Sequence, residues 1–538
     1  MALSTYIVQF APEWTLLIGA CVTLLVGLVG GPRRVTWASS AALMTVLAAL
    51  GFTMVNDPPD GSFASLGLWL TPLSHYARWL TLGLGAVIIL VNWSQPDPGE
   101  CGEYMAMILF SLLGVLITAS ANDWVVLFLA LELVSIPTYV LVALSQSDAR
   151  SSEAGIKYFF LGALAAAVLA YGVSFVYGST GTTAIHRIGG GVGVSTLAGG
   201  AELSGYALTG LLLVLGGLCF KIAAVPSHVY APDVYEGAAS PVSGLLGFVP
   251  KFAGFVALLK IMAALQWQLP VSLQWLLWVL AAATMTAGNV LALLQKNMKR
   301  TLAYSSIAHT GYMLIALLVG PVTGEGPMRD GVSAMLFYIA VYGAMNLGAF
   351  ALLAAFRTES GSVETLDDLA GVAARSPTAA FAFAVCIFSL MGFPPTAGFL
   401  GKLYIFGSAF SVPGDHSFHR PLIALAILGV VNSAMAAAYY LRIVAAAYWG
   451  RERAAPIPTG GTPVRWGLAL CAIPLLVLFA RPLGLTAPAR MAAASVNPMS
   501  PGSSTSKLTH GPATTRDRFV AEGALVPAPI SELRSGSD

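Results

Sequence analysis

The stretch GLCFKIAAVPSHVYAPDVYEG, residues Gly217 to Gly237, decides how this sequence is read. Lys221 closes a long apolar run that begins near Tyr206, and Pro226 follows five residues later. At the surface of a water-soluble protein such a lysine would simply turn to solvent. In a helix of hydrocarbon length an ammonium is costly, and a proline beside it removes a backbone donor and bends the helix. The solvent around the run therefore has to be settled first.

Of the 538 residues, 57% are hydrophobic and 10% charged, where an average soluble chain carries roughly 25% charged residues. Apolar segments of about 20 residues, enough to cross a ~30 Å hydrocarbon core as helix, recur from end to end. The net charge of +2 gives no case for nucleic acid. Cys21, Cys101, Cys219, Cys386 and Cys471 stand singly with no C-x-x-C, so they read as small hydrophobes rather than cluster or zinc ligands. Ile18 to Cys21 loosely matches a lipoprotein cleavage box, but no basic residue precedes it and the apolar run continues, so a retained first span is expected.

Apolar runs between polar or Gly/Pro punctuation predict an all-α, polytopic membrane fold of about fourteen transmembrane helices. They lie near 12–30, 36–54, 72–92, 103–119, 123–144, 155–177, 205–236, 239–264, 271–293, 300–319, 331–356, 377–411, 421–449 and 464–483. The seventh and twelfth are too long for a simple span and contain Pro226 and Pro232, then Pro394 and Pro395, which predicts broken helices. The breaks are five spans apart, and an odd repeat inverts topology, so spans 4–8 and 9–13 read as inverted copies. The divisions are then 1–100 (three N-terminal helices), 101–265 and 266–450 (the two repeats), 451–484 (the last span) and 485–538. That last stretch is rich in Ser, Pro, Gly and Ala and is expected to be disordered. The glycine-rich 188–200 lacks the strand–turn–helix context of a dinucleotide fingerprint and reads as an external loop.

Basic residues set the orientation. Arg33, Arg34, Arg150, Lys296, Lys299, Arg300, Arg357, Arg375, Arg451, Arg453 and Arg465 fall on one side, against mainly Arg187, Arg329 and Arg420 on the other. The first side is expected in the cytoplasm, with both termini outside.

Few ionisable groups remain at depth: Glu132, Lys221, Lys251, His309 and Lys402, with Lys157 shallower. Each charge near the bilayer centre costs about 2.5–3.5 kcal/mol on insertion scales. The four central charges would together cost on the order of 10 kcal/mol, comparable with a whole domain's net stability. They should therefore face one another or a polar interior rather than lipid. Three lysines to one glutamate cannot all be neutralised by pairing, and an amine in oil without a carboxylate releases its proton more readily than one in water. Proton handling is the sharper reading and structural ion pairs the blander one; Glu132 is the natural modulator of Lys221. A neutral His309 bonded to Ser305 or Ser306 is as consistent with the sequence as a relay. Lys260 and Arg442 lie toward span ends and should snorkel to the interface.

At these residues the sequence resembles a known family. KIAAVPSHVYAPDVYEGAASPVSGLLGFVPK (221–251), LELVSIPTYVLVAL (131–144), KRTLAYSSIAHTGYMLIAL (299–317) and MGFPPTAGFLGK (391–402) are similar to the antiporter-like membrane subunits of respiratory complex I, the bacterial NADH–quinone oxidoreductase, and within them to the subunit N type. The resemblance implies a proton-translocating subunit driven by quinone reduction in its neighbours. Glu132 and Lys221 would be the coupled pair of the uptake half, Lys251 the connecting residue and Lys402 the release residue, with Lys157 and His309 secondary. It implies no cofactor in this chain, NADH, FMN, iron–sulfur clusters and quinone being bound by other subunits. It also implies partners among L, M and K/J-type subunits, the lateral helix of subunit L lying alongside, in a bacterial inner membrane. The corresponding subunit of a photosynthetic-type, ferredoxin-driven complex shares the motifs and stays open, as do a Na⁺(K⁺)/H⁺ antiporter subunit and a passive scaffold.

Overall fold

The computed structural model describes residues 7–29, 31, 33–56, 64–65, 67–145, 149–186, 204–321, 329–358, 361–450 and 457–496. Twelve helices among them are long and apolar enough to cross a membrane. They are α1 (Ala11–Leu28), α2 (Arg34–Val55), α3 (Pro72–Val91), α4 (Cys101–Ser120), α5 (Trp124–Leu144), α6 (Ala149–Thr180), α9 (Ser240–Ala264), α10 (Val271–Leu293), α11 (Met298–Val319), α12 (Gly331–Ala355), α16 (His419–Trp449) and α17 (Gly461–Ala480). Two further expected spans are each divided in two. One gives α7 (Gly205–Lys221) and α8 (Tyr230–Gly237), the other α14 (Pro377–Met391) and α15 (Ala397–Phe410). A one-turn helix, α13 (Val372–Arg375), and short strands in the connections complete the order.

The helix α18 (Leu483–Ala494) corrects the expectation that the polar tail begins at 485. Its Thr486, Ala489, Ala492 and Ala493 are buried, so alanines at near-helical spacing supply a packing face despite the Ser- and Pro-rich chain that follows. Residues 497–538 lie outside the described residues, as does the whole of the 188–200 loop.

Burial sorts the helices. Every residue of α9 is buried, and nearly every one of α12, whereas α1, α2, α6 and α10 expose broad apolar faces. A helix apolar all round is one meant to be enclosed. α9 and α12 approach so closely that a Cβ at Gly247 would overlap the Asn346 amide, which donates to the Gly244 carbonyl at 3.0 Å. Away from this centre, Arg78 of α3 donates to both carboxylate oxygens of Glu13 of α1 at 2.8 and 2.9 Å, a buried bidentate pair that clamps the N-terminal helices.

Both breaks satisfy the backbone groups they release, as hydrocarbon surroundings demand. At the first, Pro226 cannot continue a helix; the Phe220 carbonyl accepts from the Tyr230 hydroxyl at 2.9 Å and the Ile222 carbonyl from Thr310 at 2.8 Å. At the second, Gly392 (φ +83°) closes α14 in a left-handed conformation that glycine adopts freely. There the Leu390 and Met391 carbonyls accept from Lys402 itself at 3.1 and 2.8 Å.

Candidate functional site

Lys221 ends α7 facing α5, and its Nζ donates to Glu132 Oε1 at 2.8 Å and to Ser135 Oγ at 2.5 Å. Glu132 and Ser135 are one helical turn apart on α5, so one ammonium reaches both. The close seat against α9 depends on Gly254, where a Cβ would stand 2.6 Å from Ile222 Cγ2 and 3.3 Å from Lys221 Cβ.

Lys251, wholly enclosed in α9, donates to the Ser306 carbonyl at 2.5 Å, to Ser306 Oγ at 2.6 Å and to Thr310 Oγ1 at 3.1 Å. Thr310 also donates to the Ile222 carbonyl, so a single hydroxyl joins the first break to Lys251. Beyond Lys251, Ser306 shares a 2.6 Å hydrogen bond with Tyr342, whose ring lies 5.1 Å from that of His309. His309 Nδ1 meets the Tyr338 hydroxyl at 2.5 Å and Nε2 meets Tyr440 at 3.0 Å, while Ser305 bonds Tyr440. The histidine is therefore held by tyrosines, not by the serines of its own helix.

Lys402 Nζ donates to Ser433 Oγ at 2.9 Å as well as to the break carbonyls, and lies 5.2 Å from the centre of the Tyr312 ring. That ring is 5.7 Å from His309, and its hydroxyl accepts from Asn289, which also donates to Asn432. Glu132, half-buried, and Lys221, Lys251, His309 and Lys402, buried, thus occupy one polar line crossing α5, α7, α9, α11 and α15. Among the described residues no group of three or more His, Cys, Asp or Glu side chains is placed to hold a metal.

Two expectations need correction. Lys157 does not join this line: its half-exposed amine pairs with Glu153 at 2.7 Å and Asp233 at 3.4 Å in a surface cluster, because its position faces outward from α6. Lys260 does not snorkel. Enclosure of α9 leaves it no path to an interface, and it donates at 2.6 Å to the Ala119 carbonyl in the last turn of α4, where carbonyls lack helical partners. Arg442 does sit half-out, donating to the Leu293 carbonyl.

Sequence reasoning missed the tyrosines. Tyr338 and Tyr342 are four residues apart on α12 and Tyr312 follows His309 by three on α11, spacings that share a helix face. It also missed Lys299 and Arg300 as clamps. Lys299 donates to the Glu236 and Ala238 carbonyls at 2.6 and 3.0 Å, and Arg300 donates to the Asp233 and Glu236 carboxylates at 2.7 Å each. They fasten α8, beyond the first break, to the helix that carries His309.

A wholly helical membrane body with broken helices and a line of ionisable side chains through its interior defines a class of proteins that carry charge across a bilayer. The family described as NADH:quinone oxidoreductase/Mrp antiporter, transmembrane, matches residues 121–431. NADH-quinone oxidoreductase subunit N of Rhodospirillum rubrum is 38% identical over 451 residues, covering 81% of this chain and 87% of that one. The protein of the same name from Trichlorobacter lovleyi is 42% identical over 401 residues, covering 72% and 78%. A chain of respiratory complex I from Thermus thermophilus with bound aureothin superposes with a TM-score of 0.71 at 30% identity, covering 88% of this chain and 98% of that one. One of the Mrp complex from Dietzia sp. shares the fold, with a TM-score of 0.74 at 21% identity, covering 95% and 99%. The chain belongs to the NADH:quinone oxidoreductase/Mrp antiporter family and, within it, to the subunit N group.

Proposed function

We propose that this chain is a proton-translocating membrane-arm subunit of an NADH-quinone oxidoreductase. The observation that carries the reading is the single line formed by half-buried Glu132 and the buried Lys221, Lys251, His309 and Lys402, with hydroxyl and carbonyl partners between them. Glu132 and Lys221 take up the proton, Lys251 and His309 pass it across the centre, and Lys402 releases it. Moving one proton against 100 mV takes about 2.3 kcal/mol from the field alone. Quinone reduction in partner subunits supplies it, and those partners are the L, M and K/J types with the lateral helix of subunit L. NADH, FMN, the iron–sulfur clusters and quinone stay with other subunits.

The Arg- and Lys-rich connections lie in the cytoplasm of a bacterial cell, both termini outside the inner membrane. The divided helices count as one crossing each, giving fourteen, with spans 4–8 and 9–13 as inverted repeats. A line with three lysines to one carboxylate favours protons over metal cations, which sets the Na⁺(K⁺)/H⁺ antiporter reading second. Lys221→Ala and Glu132→Ala in the assembled complex should each abolish proton pumping coupled to quinone reduction. Full pumping in both variants would overturn the proposal.

A further inference from the structure

Between the surface cluster and the Glu132–Lys221 pair stands Tyr139. It lies seven residues beyond Glu132 and four beyond Ser135, so the three side chains form one stripe on α5 reaching about 10 Å along the helix axis. Its side chain is buried, and its hydroxyl has no hydrogen-bond partner among the described residues. A buried phenol usually finds one. Room for this oxygen is made by Gly162 of α6, where any Cβ would overlap it.

The far side of the ring leads outward. Tyr139 meets Tyr158 edge-on at 4.5 Å, Tyr158 stacks on Tyr230 at 5.2 Å, and Tyr230 stacks on Phe220 at 4.2 Å, beside Lys221. Lys157 precedes Tyr158 and, with Arg150, Glu153, Asp233 and Glu236, lines an open hollow of about 300 Å³ at the surface. Aromatic rings thus separate a charged hollow from the buried pair, and the Tyr139 hydroxyl stands within that seal beside the stripe. The groups facing it are Glu132 and Ser135 of α5 and Tyr158 and Phe159 of α6.

We propose that the Tyr139 hydroxyl is a further catalytic residue, relaying protons from the Lys157–Asp233 hollow to Glu132 and Lys221. This rests on the proton-translocation reading above. A proton given up by a group of the hollow binds a lone pair of the phenol oxygen as the original hydroxyl proton passes to Ser135 Oγ and the Ser135 hydroxyl proton passes to the Glu132 carboxylate. Each hydroxyl gains one O–H bond as it loses another, the carboxylate gains one, no electron moves, and rotation about the C–O bonds restores the two hydroxyls.

The test is Tyr139→Phe in the full complex, reconstituted in vesicles. Phenylalanine keeps the ring contacts with Tyr158 and removes only the oxygen, so a packing role would be unaffected. Pumping driven by quinone reduction is expected to fall on the order of a hundredfold or more, the lower end of what a positioned proton-transfer group contributes. Wild-type pumping in assembled Tyr139→Phe complex would overturn the relay. In that case lost pumping in Lys221→Ala would leave the wider reading standing, whereas retained pumping there would sink both. If Tyr139→Phe does not assemble, 3-fluorotyrosine at position 139 decides. It preserves shape and makes the phenol more acidic, so a relay shifts the pH profile of pumping; an unshifted profile refutes it.

Discussion

Glu132→Gln isolates the charge from the shape at the buried pair. Glutamine keeps the length of the side chain, and its amide oxygen can still accept from Lys221 Nζ, so the 2.8 Å contact survives while the negative charge is lost. With the lysine side chain 3% exposed and the glutamate 17%, the surface value for an ion pair does not apply. Removing one partner of a buried pair costs about 3–5 kcal/mol, because the remaining charge is left without compensation. At 1.36 kcal/mol per factor of ten, that is a penalty of roughly 10² to 10³ or more against the arrangement that keeps the lone ammonium enclosed. Ser135 alone, a neutral acceptor at 2.5 Å, does not offset it. The assay is quinone reduction by NADH in vesicles, with proton uptake followed by a pH-sensitive dye, each with and without an uncoupler. Glu132→Gln should assemble and lose nearly all pumping. Glu132→Asp, which keeps the charge but is one methylene shorter, should retain an intermediate rate. If Glu132→Gln pumps as fast as the wild type, the pair is structural and the argument from its burial fails.

Other substitutions separate positioning from framework. Gly254→Ala should slow pumping, since its Cβ would press on Ile222 and Lys221; overpacking of this kind costs about 1–3 kcal/mol, and an unchanged rate would mean that α9 yields. Arg78→Leu should lower thermal stability by about 3–5 kcal/mol, as a broken buried pair, yet leave pumping per assembled complex intact, because Glu13 and Arg78 lie apart from the polar line. Lys260→Met should likewise destabilise without loss of pumping, and a selective pumping defect would give the Ala119 contact a role beyond capping. In the connection after α6, burial and then the nearby Lys260 charge hold His186 down to about 3, from an ordinary 6.5. The unfolded chain then binds a proton that the folded one refuses, so stability falls as pH drops from 6.5 toward 3. His186→Phe should flatten that acid loss in thermal unfolding scans, and an identical slope would refute the assignment.

The fold was legible because the bilayer imposes a length and forbids unpaired backbone. Apolar runs near 72–92, 123–144 and 271–293 match α3, α5 and α10 to within a residue or so, and the prolines at 226 and 394–395 fall at the breaks. Less legible was anything set by a helix's neighbours. Lys260 and Arg442 both look like span-end cations; only the enclosure of α9 sends one to a carbonyl while the other meets solvent. Lys157 resembles Lys221 in lying near a helix that is otherwise apolar, but its partners are surface carboxylates. The tyrosines that bond to His309, Tyr338 and Tyr440, come from α12 and α16, which no local pattern in SSIAHTGY foretells. In α18 the alanine spacing was present, but the surrounding composition outweighed it.

The two breaks hold their lysines by different physics, and this bears on how a proton would move between them. Lys221 precedes its break and is paired with a carboxylate, so its ammonium is stabilised by a charge carried on a separate helix. Lys402 follows its break and caps the carbonyls that end α14, where the helix dipole favours a cation. Among the described residues it has no carboxylate in salt-bridge range. Its proton affinity therefore depends on whether α15 stays docked against the end of α14. On the proposed reading, uptake is governed by the Glu132–Lys221 distance and release by the geometry of the second break. α11 contacts both regions, through Lys299, Arg300 and Thr310 at the first and through His309 and Tyr312 toward the second. A disturbance at either break thus meets the same helix, and the two lysines need not touch to influence one another.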